Sequence, residues 1–451
     1  MKHPSWNKAK RWLMWLCGGV IVLCVAAGGF WYWINITPQV KIPTPIMPNP
    51  NGYDFFLRAG AAFVKDNKGV DKITNPNSTR RKIKRYPIAA KVAWLKQNAR
   101  ALELLREGLK YPALLPPEAN TDAFYPRHHQ LTDLALALRV ESHVRAERGD
   151  WRGAADSILD ALKFGDNLLR GGSLSGVSVD VSLSIQESSF PEMLTLLPHL
   201  DEVESRKVAK RMEHLYAGRF PYYKMMEMEK RGRQAAMLEL MKNKFWRIKT
   251  VLELSYPARV IALLQWLDRS YSPPSWLDTA KEFLKYSKVF FISDKTLMKN
   301  YTRLMDAYIA NGQRAYIKRQ PIPNSGDPLT QLYKSVLKKM HWNWTRMDTS
   351  AVLKMTVLAL RAFRLEKGHY PTSLNELVPQ YLKQVPIDPF ADDAPLHYQL
   401  QGQKYLLWSI GSDGVDNHAA PIINRDRPAA ARYRLLDPDS KGDVVAGINV
   451  P

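Results

Sequence analysis

Apolar and polar positions follow three regimes along the 451 residues. From Trp12 to Val40 no residue is charged, and Trp12–Ile34 is almost wholly apolar. As a helix rising about 1.5 Å per residue, that stretch reaches roughly 35 Å, enough to cross a hydrocarbon core about 30 Å thick. Its ends carry the aromatics that favour bilayer interfaces: Trp12 and Trp15 at one, Phe30-Trp31-Tyr32-Trp33 at the other. Residues 35–50 then hold Pro38, Pro43, Pro45, Pro48 and Pro50. That density of proline excludes helix and central strand and predicts a stiff, extended stalk.

From about Tyr53 to Gln320 the apolar period is helical. Phe55, Phe56, Ala59, Ala62 and Phe63 recur at three- and four-residue steps. So do Val92, Leu95, Ala99, Leu102, Leu105 and Leu109, which predict one helix ahead of Pro112. Asp201 and Glu204 stand as N-cap and N3 residues of a helix over Val203–Leu215. Within Leu131–Leu169, Leu134, Leu138 and Val144 mark one helix and Gly149-Asp150 makes a turn. Ala154, Ala155, Ile158, Ala161 and Leu162 then mark a second helix. This hairpin resembles a single tetratricopeptide unit, whose small residues let two helices approach closely. The Pro273-Pro274 step divides the region, and Gln320–Pro328 ends it.

The last third changes character. A long helix is expected from about Leu329 to Lys367, with Ala351, Met355, Leu358, Ala362 and Leu365 as its core stripe, widened by Leu353, Val357 and Leu360. Gly368 supplies a left-handed stop and Pro371 prevents resumption. A short helix over Ser373–Leu382 follows. Leu396–Leu400 and Tyr405–Ile410 then read as two strands joined through Gln401-Gly402-Gln403.

Charge sets the orientation. Lys2, Lys8, Lys10 and Arg11 precede the apolar span with no acidic residue among them, and Lys41 is the sole cation in the fifteen residues after it. The positive-inside bias places the short N-terminus in the cytoplasm and the bulk outside it. Val25-Ala26-Ala27 also fits the small-residue cleavage site of a signal peptide. The apolar run past Ala27 and the four-aromatic belt favour a retained anchor. Cys17 and Cys24 both lie inside the span, so the remainder holds no disulfide. Of the formal net charge of +22, all but those four N-terminal cations lies beyond the anchor. A basic, tethered body is drawn to anionic lipid or wall polymer. The run Arg80-Arg81-Lys82-Ile83-Lys84-Arg85 is either a solvated loop or a surface-docking patch. Topology and the lack of a nucleic-acid fold signature argue against nucleic acid.

The order Leu365-Glu366-Lys367-Gly368-His369-Tyr370-Pro371-Thr372, Leu377-Val378-Pro379-Gln380-Tyr381-Leu382, Pro386-Ile387-Asp388-Pro389-Phe390, Tyr405 and Ser409-Ile410-Gly411-Ser412-Asp413-Gly414 resembles the head of the type II secretion major pseudopilin. The resemblance implies a long helix packed on a small antiparallel sheet. It also implies a calcium ion at the loop Ser409–Asp416, with Asp413 and Asp416 as carboxylate ligands and Gly411 and Gly414 permitting the turn. The alternative for that loop is a plain Asp/Gly turn capping its own backbone. In a pseudopilin the head's own helix enters the membrane; here more than 300 residues separate the two. Taken whole, the chain also resembles single-pass envelope proteins of bacteria with large extracytoplasmic compartments, a likeness that implies no activity.

Catalytic and metal signatures are sparse. His128, His129 and His143 lack the spacing of a zinc site, and Gly171-Gly172-Ser173-Leu174-Ser175-Gly176 carries leucine where a nucleophile elbow needs serine. The charged stretch Glu227–Arg233 reads as an ion-paired, solvated helix face. Trp94, Trp246, Trp266 and Trp276 read as core. The expected fold class is therefore mainly α: a transmembrane helix, a helical-hairpin bundle and a small α+β pseudopilin-like module. The ranges are 1–11 cytoplasmic tail, 12–34 transmembrane helix, 35–50 stalk, 51–320 helical domain and 321–451 α+β module. The expected role is a non-enzymatic scaffold or binding protein, held in the bacterial inner membrane through residues 12–34. It uses no cofactor unless the loop takes calcium, and its partner is an envelope protein or an anionic wall or lipid surface. The alternative is an accessory component of a type II secretion or pilus-like system.

Overall fold

The computed structural model describes residues 5–64, 86–115, 121–170, 177–255, 276–425, 432 and 438–450. The Arg80–Arg85 run, Gly171–Gly176, Trp266 and the Pro273-Pro274 step lie outside those residues, as do the side chains of His128, His129 and Trp276. The protein is mainly helical, with a single small sheet among the described residues. It divides into two compact units: residues 1–43, 233–306 and 322–336 form one, and residues 44–232, 307–321 and 337–451 the other.

The first unit begins with α1 (Ser5–Ile34). Its Trp12–Ile34 stretch has a mean hydropathy of 2.2 and is the one candidate membrane span among the described residues. The unit continues through the end of α9 (Tyr222–Lys242), α10 (Trp246–Ser255) and α11 (Trp276–Ser287). A 3-10 turn at Lys288–Phe291 leads into α12 (Asp294–Gly312), and α13 (Pro328–Leu337) follows later in the chain. Met241, Trp246, Val251, Tyr286, Val289 and Leu297 form its apolar core.

The second unit packs helix on helix. Its first layer is α2 (Gly52–Ala61), α3 (Ile88–Gln97), α4 (Ala99–Gly108), α5 (Thr121–Glu147) and α6 (Trp151–Leu168). The single helix expected before Pro112 is two. At Asn98 the backbone leaves helical geometry, because its side chain accepts from Val64 N at 2.8 Å and donates to the carbonyls of Val64 and Trp94. α2 and α4 touch backbone to backbone: a Cβ at Gly108 would lie 2.7 Å from the Phe56 ring and 2.9 Å from the Gly52 carbonyl.

The α5–α6 hairpin turns as the pattern predicted. Gly149 takes φ +80°, and Asp150 caps α6 by accepting from Gly153 N at 2.8 Å. α7 (Val177–Leu196) packs on α6, and α8 (Glu202–Ala217) opens on Asp201, which accepts from Glu204 N. α6 serves two cores: Phe164 and Leu168 face Phe56, Leu105 and Leu134, while Ala154 and Ile158 face Phe190, Met193 and Met212.

The expected long helix is broken by a turn at Lys338-Lys339, two exposed cations outside the apolar stripe, so that α14 runs Met340–Lys367. Its stripe is buried from Ala351 to Ala362, but Leu365, in the last turn, is exposed. Gly368 closes the helix at φ +82°. The helix expected over Ser373–Leu382 shrinks to a 3-10 turn at Leu374–Leu377, held by a Ser373–Glu376 capping box. β1 (His397–Gln401) pairs antiparallel with β2 (Lys404–Ser409) through Gly402, in the order and register expected of a hairpin. A two-residue β3 (Val444–Val445), not expected from the sequence, pairs with β2. α14 lies between this sheet and α8, so Leu358 and Phe363 share one core with Val208, Tyr381, Leu407 and Val444.

Candidate functional site

Three places collect polar groups of the kind that bind or react. The first is the end of α1. A helix leaves its last four carbonyls without intrahelical partners, and in an apolar setting each needs one. Here they are found. Asn35 Nδ2 donates back to Trp31 O at 2.8 Å, Asn35 N donates to Tyr32 O, and Ile36 N to Trp33 O. Arg247 Nη2 donates to Ile34 O at 2.9 Å, and Lys244 Nζ to Asn35 O at 2.9 Å. Two cations thus sit where the helix dipole is negative.

Arg247 is buried, and its guanidinium is used throughout. Nη1 meets Asn35 Oδ1 at 2.9 Å, Nε meets Val289 O, and Nη2 also reaches Ile292 O and Asp294 Oδ1 at 2.6 Å. Trp246 Nε1 donates to the same carboxylate. Burial pushes the Asp294 pKa up against the pull of Arg247. Nothing in the apolar pattern marks this socket, because Arg247 and Asp294 stand among other charged residues, Lys244, Lys249 and Lys295, that stay exposed.

The second place is a cleft of about 440 Å³ beside the hairpin. α5 contributes Ser142, His143, Ala146 and Glu147, α6 contributes Trp151, and α7 with the following turn contributes Glu192, Thr195, Leu196 and His199. The Trp151 and His199 rings stack 3.7 Å apart at 6°. Both carboxylates are held: Lys91 Nζ donates to Glu147 at 2.7 Å, and Arg139 donates twice to one oxygen of Glu192, at 2.6 and 3.0 Å. His143 Nδ1 lies 3.5 Å from Glu147. The cleft thus presents a flat π-face beside paired carboxylates and hydrogen-bonding groups. The sequence pointed to the hairpin but not to the two cations: Lys91 arrives from α3, and Arg139, on α5 itself, reaches across to α7.

The third place is the Asp/Gly loop. Asp413 accepts from Val415 N and, at 3.0 Å, from Gly442 N. Asp416 accepts from Trp408 Nε1 and His418 N, both at 2.9 Å, with His397 Nδ1 at 3.4 Å. These bonds and the neighbouring histidines hold its pKa down against partial burial. Buried Asp443 accepts from Asn417 N and Ala419 N. The carboxylates therefore tie the loop to itself and to the Gly442–Val445 segment. Among the described residues no three His, Cys, Asp or Glu side chains converge as a metal site would need.

Lys354, on α14, is a separate case. Its Nζ meets Ser350 Oγ at 3.0 Å and lies 4.5 Å from the Phe190 ring centroid, beside a cavity of about 280 Å³ lined also by Leu353, Val357, Tyr405 and Val450. Burial pushes its pKa down to about 7.

Compared with known proteins, the chain matches no family model, no curated protein and no solved structure.

Proposed function

We propose that the chain is a single-pass protein of the bacterial inner membrane, N-terminus in the cytoplasm, whose helical body acts outside it as a binding scaffold. The anchor reading rests on α1, apolar over Trp12–Ile34 and exposed as far as Trp33, with its far end received by Arg247 and Lys244. Orientation rests on Lys2, Lys8, Lys10 and Arg11.

The binding reading is carried by the cleft at the Trp151–His199 stack. Its size takes one large side chain or a turn of peptide, and its paired carboxylates and aromatic face suit a polar-aromatic segment of an envelope protein. A photo-crosslinking residue placed at Thr195, in the full chain in its native envelope, tests this. One discrete adduct that disappears in Trp151→Ala is expected. Equal adducts from Thr195 and from the exposed strand position Lys404, or an adduct indifferent to Trp151→Ala, would overturn it.

A second reading, accessory part of a type II secretion or pilus-like machine, draws support from α14 lying on the small antiparallel sheet. We read the Asp413–Asp416 loop as self-capped. Calorimetric titration of the full chain with calcium should therefore give no binding heat, and saturable heat lost in Asp413→Asn would restore the calcium site.

A further inference from the structure

The first unit carries an apolar surface that its own core does not use. Phe245 and Phe291 are 63% and 72% exposed, and Ile248 and Leu252, three and seven residues after Phe245, are 46% and 54% exposed. Trp246, Val251 and Ser255 face the core from the other side of the same helix. α10 is therefore apolar on two faces, and one is bare. A polar outer face is the rule for a helix on a water-exposed surface.

Two ring contacts fix where this surface lies. The Phe245 ring is 5.8 Å from that of Trp31, and the Phe291 ring is 6.4 Å from that of Phe30. Phe30 and Trp31 belong to the aromatic belt that ends the membrane span. Side chains touching them share their depth, where headgroups meet acyl chains. The Arg247 and Lys244 bonds to residues 34–37 hold α10 against the end of α1, so the bare stripe cannot swing away from that depth without breaking a buried arginine socket. Exposed Lys288 flanks the stripe, as does Lys249, paired with Glu253 at 3.9 Å. The Lys288 stem can lie along the stripe while its ammonium group reaches a lipid phosphate.

We infer that α10 and the Lys288–Phe291 turn lie in the outer interface of the same bilayer that α1 crosses, with Phe245, Ile248, Leu252 and Phe291 inserted among the lipids as an interfacial foot. The inference rests on the anchor reading above and extends it. The first unit then holds its membrane at two points, a span and a foot, and cannot rotate freely about a single tether.

The test uses the full chain carrying Cys17→Ala and Cys24→Ala, reconstituted in phosphatidylcholine–phosphatidylglycerol vesicles with a doxyl-labelled acyl chain. A single environment-sensitive fluorophore is attached in turn through Val20→Cys, Ile248→Cys, Leu252→Cys and Lys404→Cys. We expect doxyl quenching and a blue-shifted emission at 20, 248 and 252, and neither at 404. Quenching at 20 without quenching at 248 or 252 would place the stripe off the lipid and overturn the foot while leaving the anchor. A blue shift at 248 and 252 without doxyl quenching would mean that protein covers the stripe, and would overturn it too. No quenching at 20 would remove the anchor and the inference with it.

Discussion

Arg247 donates to the side-chain oxygen of Asn35 at 2.9 Å, joining residues 212 positions apart. The bond does more than close a contact. The same guanidinium takes the last helical carbonyl of α1 and the buried carboxylate of Asp294, so one side chain ends the apolar helix and neutralises an internal charge. Arg247→Met removes both services and leaves Asp294 buried without its cation. A loss of about 3–5 kcal/mol is expected, since breaking a buried pair strands the remaining charge. Denaturant unfolding in mild detergent reads it, and the double variant Arg247→Met/Asp294→Leu should recover part of the loss.

His341 stacks on Tyr222 at 4.4 Å, and burial, reinforced by the Arg319 charge, pushes its pKa down to about 3. Between pH 6.5 and about 3 the unfolded chain holds a proton that the folded chain refuses. Its contribution to stability is therefore whole above pH 6.5 and falls with acid, by about 1.4 kcal/mol per pH unit across that window. Urea midpoints at pH 7 and 5 should converge in His341→Phe relative to the parent chain.

Lys354 acts in the same sense but in an alkaline window. With its pKa pushed down to about 7 by burial, the folded chain releases a proton between about pH 7 and 10.5 that the unfolded chain retains. Stability from this group rises with pH across that range and is lowest below it. Lys354→Met should gain roughly 1–3 kcal/mol at neutral pH and flatten the alkaline rise, read from denaturation at pH 7 and 9.

At the Gly52–Gly108 crossing there is no room for a methyl group. Gly108→Ala should cost about 1–3 kcal/mol through overpacking against Phe56. An unchanged melting temperature would mean that α2 and α4 part easily.

Local features were the legible part. The apolar run of α1, the Asp201 and Asp150 caps, the Gly368 stop and the β1–β2 hairpin each follow from a few adjacent residues. The breaks at Asn98 and Lys338-Lys339 were not legible. An uninterrupted apolar period continues through both, and at Asn98 the interruption comes from a side chain bonding Val64, 34 residues away. The cleft was half legible: Trp151 and the hairpin turn stand out in the sequence, but Lys91 reaches Glu147 across 56 residues and Arg139 reaches Glu192 across 53. The Arg247 socket was hidden for the same reason, since its partners lie in stretches that only tertiary packing brings together.

The anchor and its orientation carry everything else, and protease protection tests them most directly. With one epitope before Met1 and another after Pro451, protease added to intact spheroplasts should remove the C-terminal epitope and spare the N-terminal one until lysis. Survival of the C-terminal epitope in intact spheroplasts, with cleavage only after lysis, would contradict the account.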